Sequence, residues 1–307
     1  MKKTLLISIA LLALLGITFT SSCKKDLIVK DNQPPYYNEI STLLIENYVN
    51  RIYIDLIGRE PLDSEMIAEV DFLRQADLEI SAREELVVRL QTDTNYVFGD
   101  GSYKEAYYKR FYELAKARVL EGASDQGINE NVGQLQSQIV RDSLNGDWAA
   151  YELHKRELKK LTDIFASEDD YASGAITIDT IFARMINNSI YDFINMNTFN
   201  FVNASFDNLL YRYPTQYEFD KAFSIIEYNQ SETLFGEPAG NKDQYVSVLI
   251  GTREFFEGCV IWAYQTFLAR DPNSSETYNA MLDFYFTKDF QKVQKDIVVT
   301  DEYAGFD

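Results

Sequence analysis

The sequence predicts an all-α protein made of repeated helix-turn-helix units with a helical hairpin inserted between them. Apolar residues recur at steps of three and four along most of the chain, which is the spacing of a buried helix face. One short segment occurs three times. The 307 residues include only 6 Pro and 14 Gly, so long stretches are free to form regular structure.

The first segment, residues 1–22, has the pattern of a secretory signal peptide. Two lysines precede an apolar run from Leu5 to Phe19, and small residues then lead directly to Cys23. This run is too short for a membrane span, which needs about 20 residues. A signal that ends at a cysteine resembles that of bacterial lipoproteins, in which the new N-terminal cysteine is acylated. We therefore predict lipidation at Cys23; the alternative is an ordinary cleaved signal with an unmodified cysteine.

Residues 23–40 are polar and contain a Pro-Pro pair, a composition that suits a flexible tether. Lys24 follows the cysteine, and by resemblance to Gram-negative lipoproteins this residue implies that the protein is not retained at the inner membrane. The start Lys24-Lys25-Asp26 is also similar to that of surface lipoproteins in Bacteroidota. We expect a protein anchored by lipid in the outer membrane, on the periplasmic face or at the cell surface.

The acidic composition limits the classes of partner. The formal charge is −19, and it becomes about −21 when the leader with its two lysines is removed. Such a charge excludes the basic footprint of a nucleic-acid-binding protein. It also disfavours a protein that lies flat on anionic lipid. We expect the acidity to serve solubility rather than the binding of cations or basic partners.

The repeated segment occupies residues 49–61, 202–214 and 260–272, which align without gaps. Each copy places an arginine near its end, a proline two residues later and a glutamate four residues after the proline. These residues are Arg59, Pro61 and Glu65, then Arg212, Pro214 and Glu218, and finally Arg270, Pro272 and Glu276. The arginine falls in the last turn of a helix, where the carbonyl groups attract a cation. The proline prevents that helix from continuing.

A second helix is expected to begin directly after each proline. Thr215 precedes Glu218, and Asn273 precedes Glu276, by the three residues of a capping box. The first copy has Leu62 at this place, so we expect its neighbours Asp63 or Ser64 to cap instead. We predict that the three arginines serve structure, through terminal carbonyls or an ion pair with a nearby acid. The alternative is that they converge on an anionic ligand.

The repeats divide the chain into a first helical unit, residues 41–121, and second and third units, residues 198–307. Residues 122–197 between them have a different pattern, two amphipathic helices joined by a turn at Asn145-Gly146-Asp147. We expect a charged helical hairpin packed on its own domain. An arm that contacts a partner is the alternative for this insertion.

Each unit is predicted to consist of a helix that ends in Leu-Leu-x-Arg-x-Pro, a second helix, a polar loop and a short helix. The short helix ends in Leu-x-Ser/Thr-x-Glu-Tyr/Phe. This pattern resembles the phycobilisome-linker-like repeat domain of secreted bacterial proteins and the helical domain that accompanies cytochrome modules in planctomycete proteins. The resemblance covers residues 45–120 and 198–307. It implies an all-α module and brings no catalytic residue. The sequence has no Cys-x-x-Cys-His haem attachment site, and we expect no cofactor.

Few residues suggest catalysis. His154 is the only histidine; it lies in a strongly charged helical segment, no nucleophile motif accompanies it, and we expect a solvated position. Cys259 is the one cysteine besides Cys23, and its apolar surroundings predict a buried, inert thiol.

Metal binding has equally little support in the sequence. One histidine and one free thiol form no zinc or iron set. Residues 93–102 resemble a calcium loop only superficially, because Val97 and Phe98 occupy positions that need an oxygen ligand and a glycine. The acidic stretch Glu168-Asp169-Asp170 is more typical of a solvated loop than of a metal site.

These features favour a non-enzymatic envelope lipoprotein that binds a protein partner, as an accessory subunit of an outer-membrane assembly. A surface glycan-binding lipoprotein is the alternative, because the chain has 21 Tyr and 20 Phe and aromatic rings stack on sugars. The tyrosines of residues 103–112, however, recur at helical steps, which predicts a buried face. A hydrolase with paired carboxylates is a third interpretation, for which the sequence identifies no residues.

Overall fold

A computed structural model describes residues 40–306. It confirms the all-α prediction: this part of the chain contains fifteen helices and two small two-stranded sheets. Among these helices, none is long and apolar enough to cross a membrane. The signal peptide (residues 1–22), Cys23 and the tether up to residue 39 lie outside the described residues, so these assignments stay predictions.

The first unit consists of four helices and a short hairpin. They are α1 (Thr42–Ile57), α2 (Asp63–Gln75), α3 (Ile80–Thr92), β1 (Tyr96–Val97), β2 (Gly101–Ser102) and α4 (Tyr103–Val119). The aromatic side chains along the first half of α4 are buried, as their spacing predicted. The prediction that Asp63 or Ser64 caps α2 is wrong. Leu62 is the capping residue, and its backbone N–H donates to the Glu65 carboxylate at 2.7 Å.

The insertion contains two long helices followed by two short ones. They are α5 (Asp125–Asn145), α6 (Trp148–Ala172), α7 (Ile178–Ile186) and α8 (Ser189–Asn195). Helices α5 and α6 pack along each other as the predicted hairpin. Its turn depends on Gly146, whose φ of +70° lies in the left-handed region that favours glycine.

The second and third units share a helix. The second unit consists of α9 (Thr198–Leu210), α10 (Gln216–Tyr228), β3 (Glu232–Leu234), β4 (Glu237–Ala239), α11 (Lys242–Gly251) and α12 (Arg253–Leu268). The third begins with α12 and continues with α13 (Ser274–Thr287), α14 (Phe290–Val298) and α15 (Asp301–Ala304). The predicted capping boxes are present at Thr215 and Asn273.

The third unit packs on the first, so the last repeat contacts the first one. The guanidinium of Arg51 in α1 donates to the backbone oxygens of Phe267 and Tyr303, the latter at 2.8 Å. The Tyr303 hydroxyl in turn donates to Asp55 at 2.7 Å. Arg83 of α3 donates to the backbone oxygen of Val299 at 2.6 Å. Side chains of the first unit thereby satisfy carbonyl groups near the ends of α12 and α14.

Candidate interaction surfaces

Each repeated arginine joins two acids in the same geometry, which we call the arginine node. The guanidinium forms two parallel bonds to the repeat glutamate: 2.7 and 2.9 Å for Arg59, 2.9 and 2.7 Å for Arg212, and 2.9 and 2.7 Å for Arg270. The Nε atom donates to a second acid: Asp100 at 2.5 Å, Glu254 at 2.8 Å and Glu302 at 2.6 Å, respectively. Three chain segments meet at every node.

Backbone groups complete the node. Each arginine donates to the carbonyl oxygen of the next residue, at 2.9 Å for Glu60, 3.2 Å for Tyr213 and 3.0 Å for Asp271. Each repeat glutamate accepts the N–H of the capping residue before its helix. Since every guanidinium nitrogen already donates within the node, the geometry favours the structural role over an anion site.

The nodes also set the protonation of their glutamates. The Arg212 guanidinium, with further hydrogen bonds from Thr215, lowers the pKa of Glu218 from 4.5 to about 2. The hydrogen bond from Arg270 likewise lowers the pKa of Glu276. Both carboxylates are therefore charged throughout the neutral range, and their pairing with arginine holds the two helices of the unit together.

The second acid of the node is a site that sequence reasoning missed. Glu254 and Glu302 each follow a threonine that caps the next helix, Thr252 and Thr300. The recurring Thr-x-Glu-aromatic theme was visible in the sequence, and it could have identified both acids. Asp100 could not be found this way, because it comes from the loop of the β1–β2 hairpin.

The other residues considered for chemistry have structural surroundings. His154 lies on α6, with Nδ1 2.6 Å from Oδ2 of Asp142 on α5. Its side chain is 26% exposed, so the expected solvated position holds in part. Cys259 is buried as predicted, and burial raises the pKa of its thiol. In the part of the chain that the structure describes, no group of three His, Cys, Asp or Glu side chains is placed to hold a metal ion.

Most of the inserted hairpin extends away from the rest of the protein. The only buried residue of α5 is Ile128, and the first buried residue of α6 is Leu161. We call residues 129–160, in which no side chain is buried, the arm. The expected packing on the domain therefore holds only at the base of the hairpin. The projecting part corresponds to the alternative that the sequence left open.

The arm presents apolar side chains to solvent near its turn. Leu144 is 81% exposed and Trp148 is 62% exposed, and Val140 and Leu153 are exposed as well. The Trp148 ring contacts Tyr151, with the ring centroids 5.6 Å apart. The arm also differs in charge from the rest of the chain. It has five Lys or Arg and five Asp or Glu, while the whole chain has a net charge of −19.

Several clefts lie on the second unit, including a groove and a shallower cleft. A groove of about 770 Å³ runs between the β3–β4 hairpin, α11, the start of α12 and Tyr285 of α13. A shallower cleft of about 410 Å³ lies between the end of α8, one face of α9 and Tyr213. The exposed aromatic rings of Phe199 and Tyr213 line this second cleft.

Neither a protein-family model, nor a curated protein, nor a solved structure matches this chain. The resemblance to the phycobilisome-linker-like and planctomycete helical domains therefore stays a prediction.

Proposed function

We propose that this protein is a non-catalytic lipoprotein of the bacterial outer membrane that binds a partner protein through the tip of the arm. The observation that carries the proposal is the exposure of Leu144 and Trp148 at the end of a projecting helical hairpin. Large apolar side chains of this kind are typical anchors of protein interfaces, where one buried tryptophan can contribute 2 kcal/mol or more, as an order of magnitude. In this proposal the protein itself is an accessory subunit of an outer-membrane assembly.

The arm is suited to binding because it is ordered before a partner arrives. The hydrogen bond between His154 and Asp142 joins its two helices, and Asp147 caps α6 by accepting the N–H of Ala150 at 3.1 Å. A preorganised surface loses less conformational entropy when it binds. The arm has as many basic as acidic residues, whereas the rest of the protein is acidic. A partner with an acidic surface would therefore be repelled less by the arm than by the rest of the protein.

Site-specific photocrosslinking in the native cells tests this proposal. A photoreactive residue at position 144 or 148 should capture the same envelope protein. A matched probe at Ile67, an exposed apolar residue on α2, should not. The captured protein is then purified and titrated against wild type, the double variant Leu144→Ala/Trp148→Ala and the control Ile67→Ala.

We expect the double variant to bind the partner at least tenfold more weakly, which corresponds to about 1.4 kcal/mol, with an unchanged melting temperature. The control should bind like wild type. Capture of the same protein from all three positions, or equal affinities of wild type and the double variant, would rule out the arm as the docking site. Glycan binding, the alternative that the sequence suggests, has support from a separate part of the surface.

A further inference from the structure

We infer that the cleft between α8, α9 and Tyr213, which we call the α9 cleft, binds a neutral glycan. Its lining combines two exposed aromatic rings with amide and carboxylate groups, and no lysine, arginine or histidine belongs to it. This inference does not depend on the arm, which lies in a different part of the chain.

The chain path creates the cleft. Helix α8 ends at Asn195, and Met196 adopts a φ of +62°, which turns the chain sharply before Asn197 caps α9. The two helices therefore meet at a corner. Phe199 lies in the first turn of α9 beside this corner, and Tyr213 follows the helix at its other end.

Both aromatic rings are exposed, and the structure restrains the Phe199 ring and the Tyr213 backbone. Phe199 is 57% exposed, and its ring packs edge-on against Phe219 with 5.1 Å between the centroids. Tyr213 is 69% exposed. Its backbone is fixed by the bond from Arg212 to its carbonyl oxygen and by Pro214, which restricts the residue before it. Exposed rings of this kind offer flat apolar faces on which the C–H groups of a sugar can stack.

The repeat itself indicates that these rings are not needed for the fold. When the gap-free alignment is extended by three residues toward the N-terminus, Phe199 corresponds to Glu46 in the first copy and Glu257 in the third. Tyr213 corresponds to Glu60 and Asp271. At these two positions the first and third copies have acidic residues, whereas the second copy has exposed aromatic residues. The scaffold and its arginine node tolerate either type, so we attribute the rings to binding rather than to stability.

Polar groups lie beside the rings along one face of α9. Asn200, Asn203 and Asp207 are spaced by three and four residues, so their side chains point to the same side of the helix. Within residues 40–306 the Asn200 amide and the Asp207 carboxylate form no hydrogen bond or ion pair with other side chains. An amide offers two donors and an acceptor, and a carboxylate offers acceptors. Together they match the hydroxyl groups of a sugar.

The same lining argues against other ligand classes. Arginine and lysine bind phosphate or sulfate most strongly, but neither lines the cleft, and Asp207 repels anions. A fatty-acyl chain needs an enclosed apolar pocket, whereas this cleft is shallow and rich in amides. A neutral, polyhydroxylated ligand is the class that can use both the rings and the amides.

Affinity electrophoresis through gels that contain a polysaccharide tests the inference. The probes are a panel of neutral glucans, mannans, xylans and chitin oligomers, with heparin as the polyanionic contrast. Wild type should be retarded by at least one neutral glycan and not by heparin. The key variant is Phe199→Glu/Tyr213→Asp, which introduces the residue types of the other copies and should keep its melting temperature.

We expect this variant to lose at least tenfold in affinity for the retarding glycan, as measured by calorimetry. Asn203→Ala should show a smaller loss. The arm variant Leu144→Ala/Trp148→Ala should bind the glycan like wild type, which separates this test from that of the proposed function. No retardation by any neutral glycan, retardation by heparin alone, or equal affinity of wild type and the Phe199→Glu/Tyr213→Asp variant would overturn the inference.

Discussion

Replacing Arg212 by alanine tests whether the arginine node stabilises the fold. The change removes the paired bonds to Glu218 and the bond to Glu254, which connect the end of α9 with the starts of α10 and α12. A hydrogen bond to a charged group contributes about 1.5–3 kcal/mol, but exposed ion pairs contribute only about 0–1 kcal/mol. The Glu218 side chain is 15% exposed and that of Glu254 is 43% exposed, so the first pair dominates.

We therefore expect Arg212→Ala to lower the free energy of unfolding by about 2–3 kcal/mol, most of it from the pair with Glu218. Because the entropy of unfolding is about 2.1 cal/mol/K per residue, the melting temperature of a protein of this size should fall by about 3–5 °C. Arg212→Lys should recover only part of the loss, because an ammonium group cannot form the two parallel bonds.

The loss should depend on pH. Because the pKa of Glu218 is about 2 in the folded protein against an ordinary 4.5, its contribution is fully present above pH 4.5 and is lost as the pH falls toward 2. In Arg212→Ala this pKa returns toward its ordinary value. The stability difference between wild type and the variant should therefore narrow below pH 4.5.

Urea denaturation of wild type, Arg212→Ala, Glu218→Ala and the double variant measures the coupling between the two side chains. We expect a coupling of at least about 1 kcal/mol at pH 7 and a smaller one at pH 3. Unchanged stability of Arg212→Ala, or coupling that is the same at both pH values, would refute this reasoning. Loss of binding to inorganic phosphate at unchanged stability would instead support the anion-site alternative.

Two further predictions concern packing and anchoring. A Cβ atom at Gly258 would lie 2.1 Å from the backbone oxygen of Leu209. Gly258→Ala should therefore force α12 and α9 apart and destabilise the protein by about 2 kcal/mol or more. The control Gly133→Ala, in open space on the arm, should be neutral or stabilising by up to about 1 kcal/mol in the same urea titration. Cys23→Ala should abolish labelling by palmitate and yield a soluble or uncleaved form; equal labelling of variant and wild type would contradict lipidation at Cys23.

Local interactions explain why so much of the fold could be predicted from sequence. A capping box needs only two residues three positions apart, so Thr215 with Glu218 identified the start of α10. The first copy shows the limit of this approach, because at Leu62 the Glu65 carboxylate satisfies the backbone N–H without any side-chain cap. The spacing of apolar residues likewise identified the buried face of α4, because these residues recur with the helical period over several turns.

The candidate sites were less predictable because they depend on tertiary contacts. The partner of His154 is Asp142 on the other helix of the hairpin, and their proximity follows from how α5 and α6 pair. Tyr213 lies in a loop, so no periodicity distinguishes an exposed ring there from a buried one. The exposure of Leu144 could not be predicted either. An amphipathic hairpin has the same apolar sequence pattern whether it lies on the domain or projects from it.

The base of the arm determines what binding at its tip can achieve. Lys160 forms an ion pair with Asp243 of α11 at 2.8 Å, and Arg184 of α7 pairs with Asp170 near the end of α6 at 2.7 Å. Arg184 also donates to the backbone oxygen of Asp163 at 3.2 Å. These contacts, together with the buried residues at the base, fix the direction in which the arm leaves the domain. A partner bound at the tip would therefore be held at a defined distance and orientation from the α9 cleft.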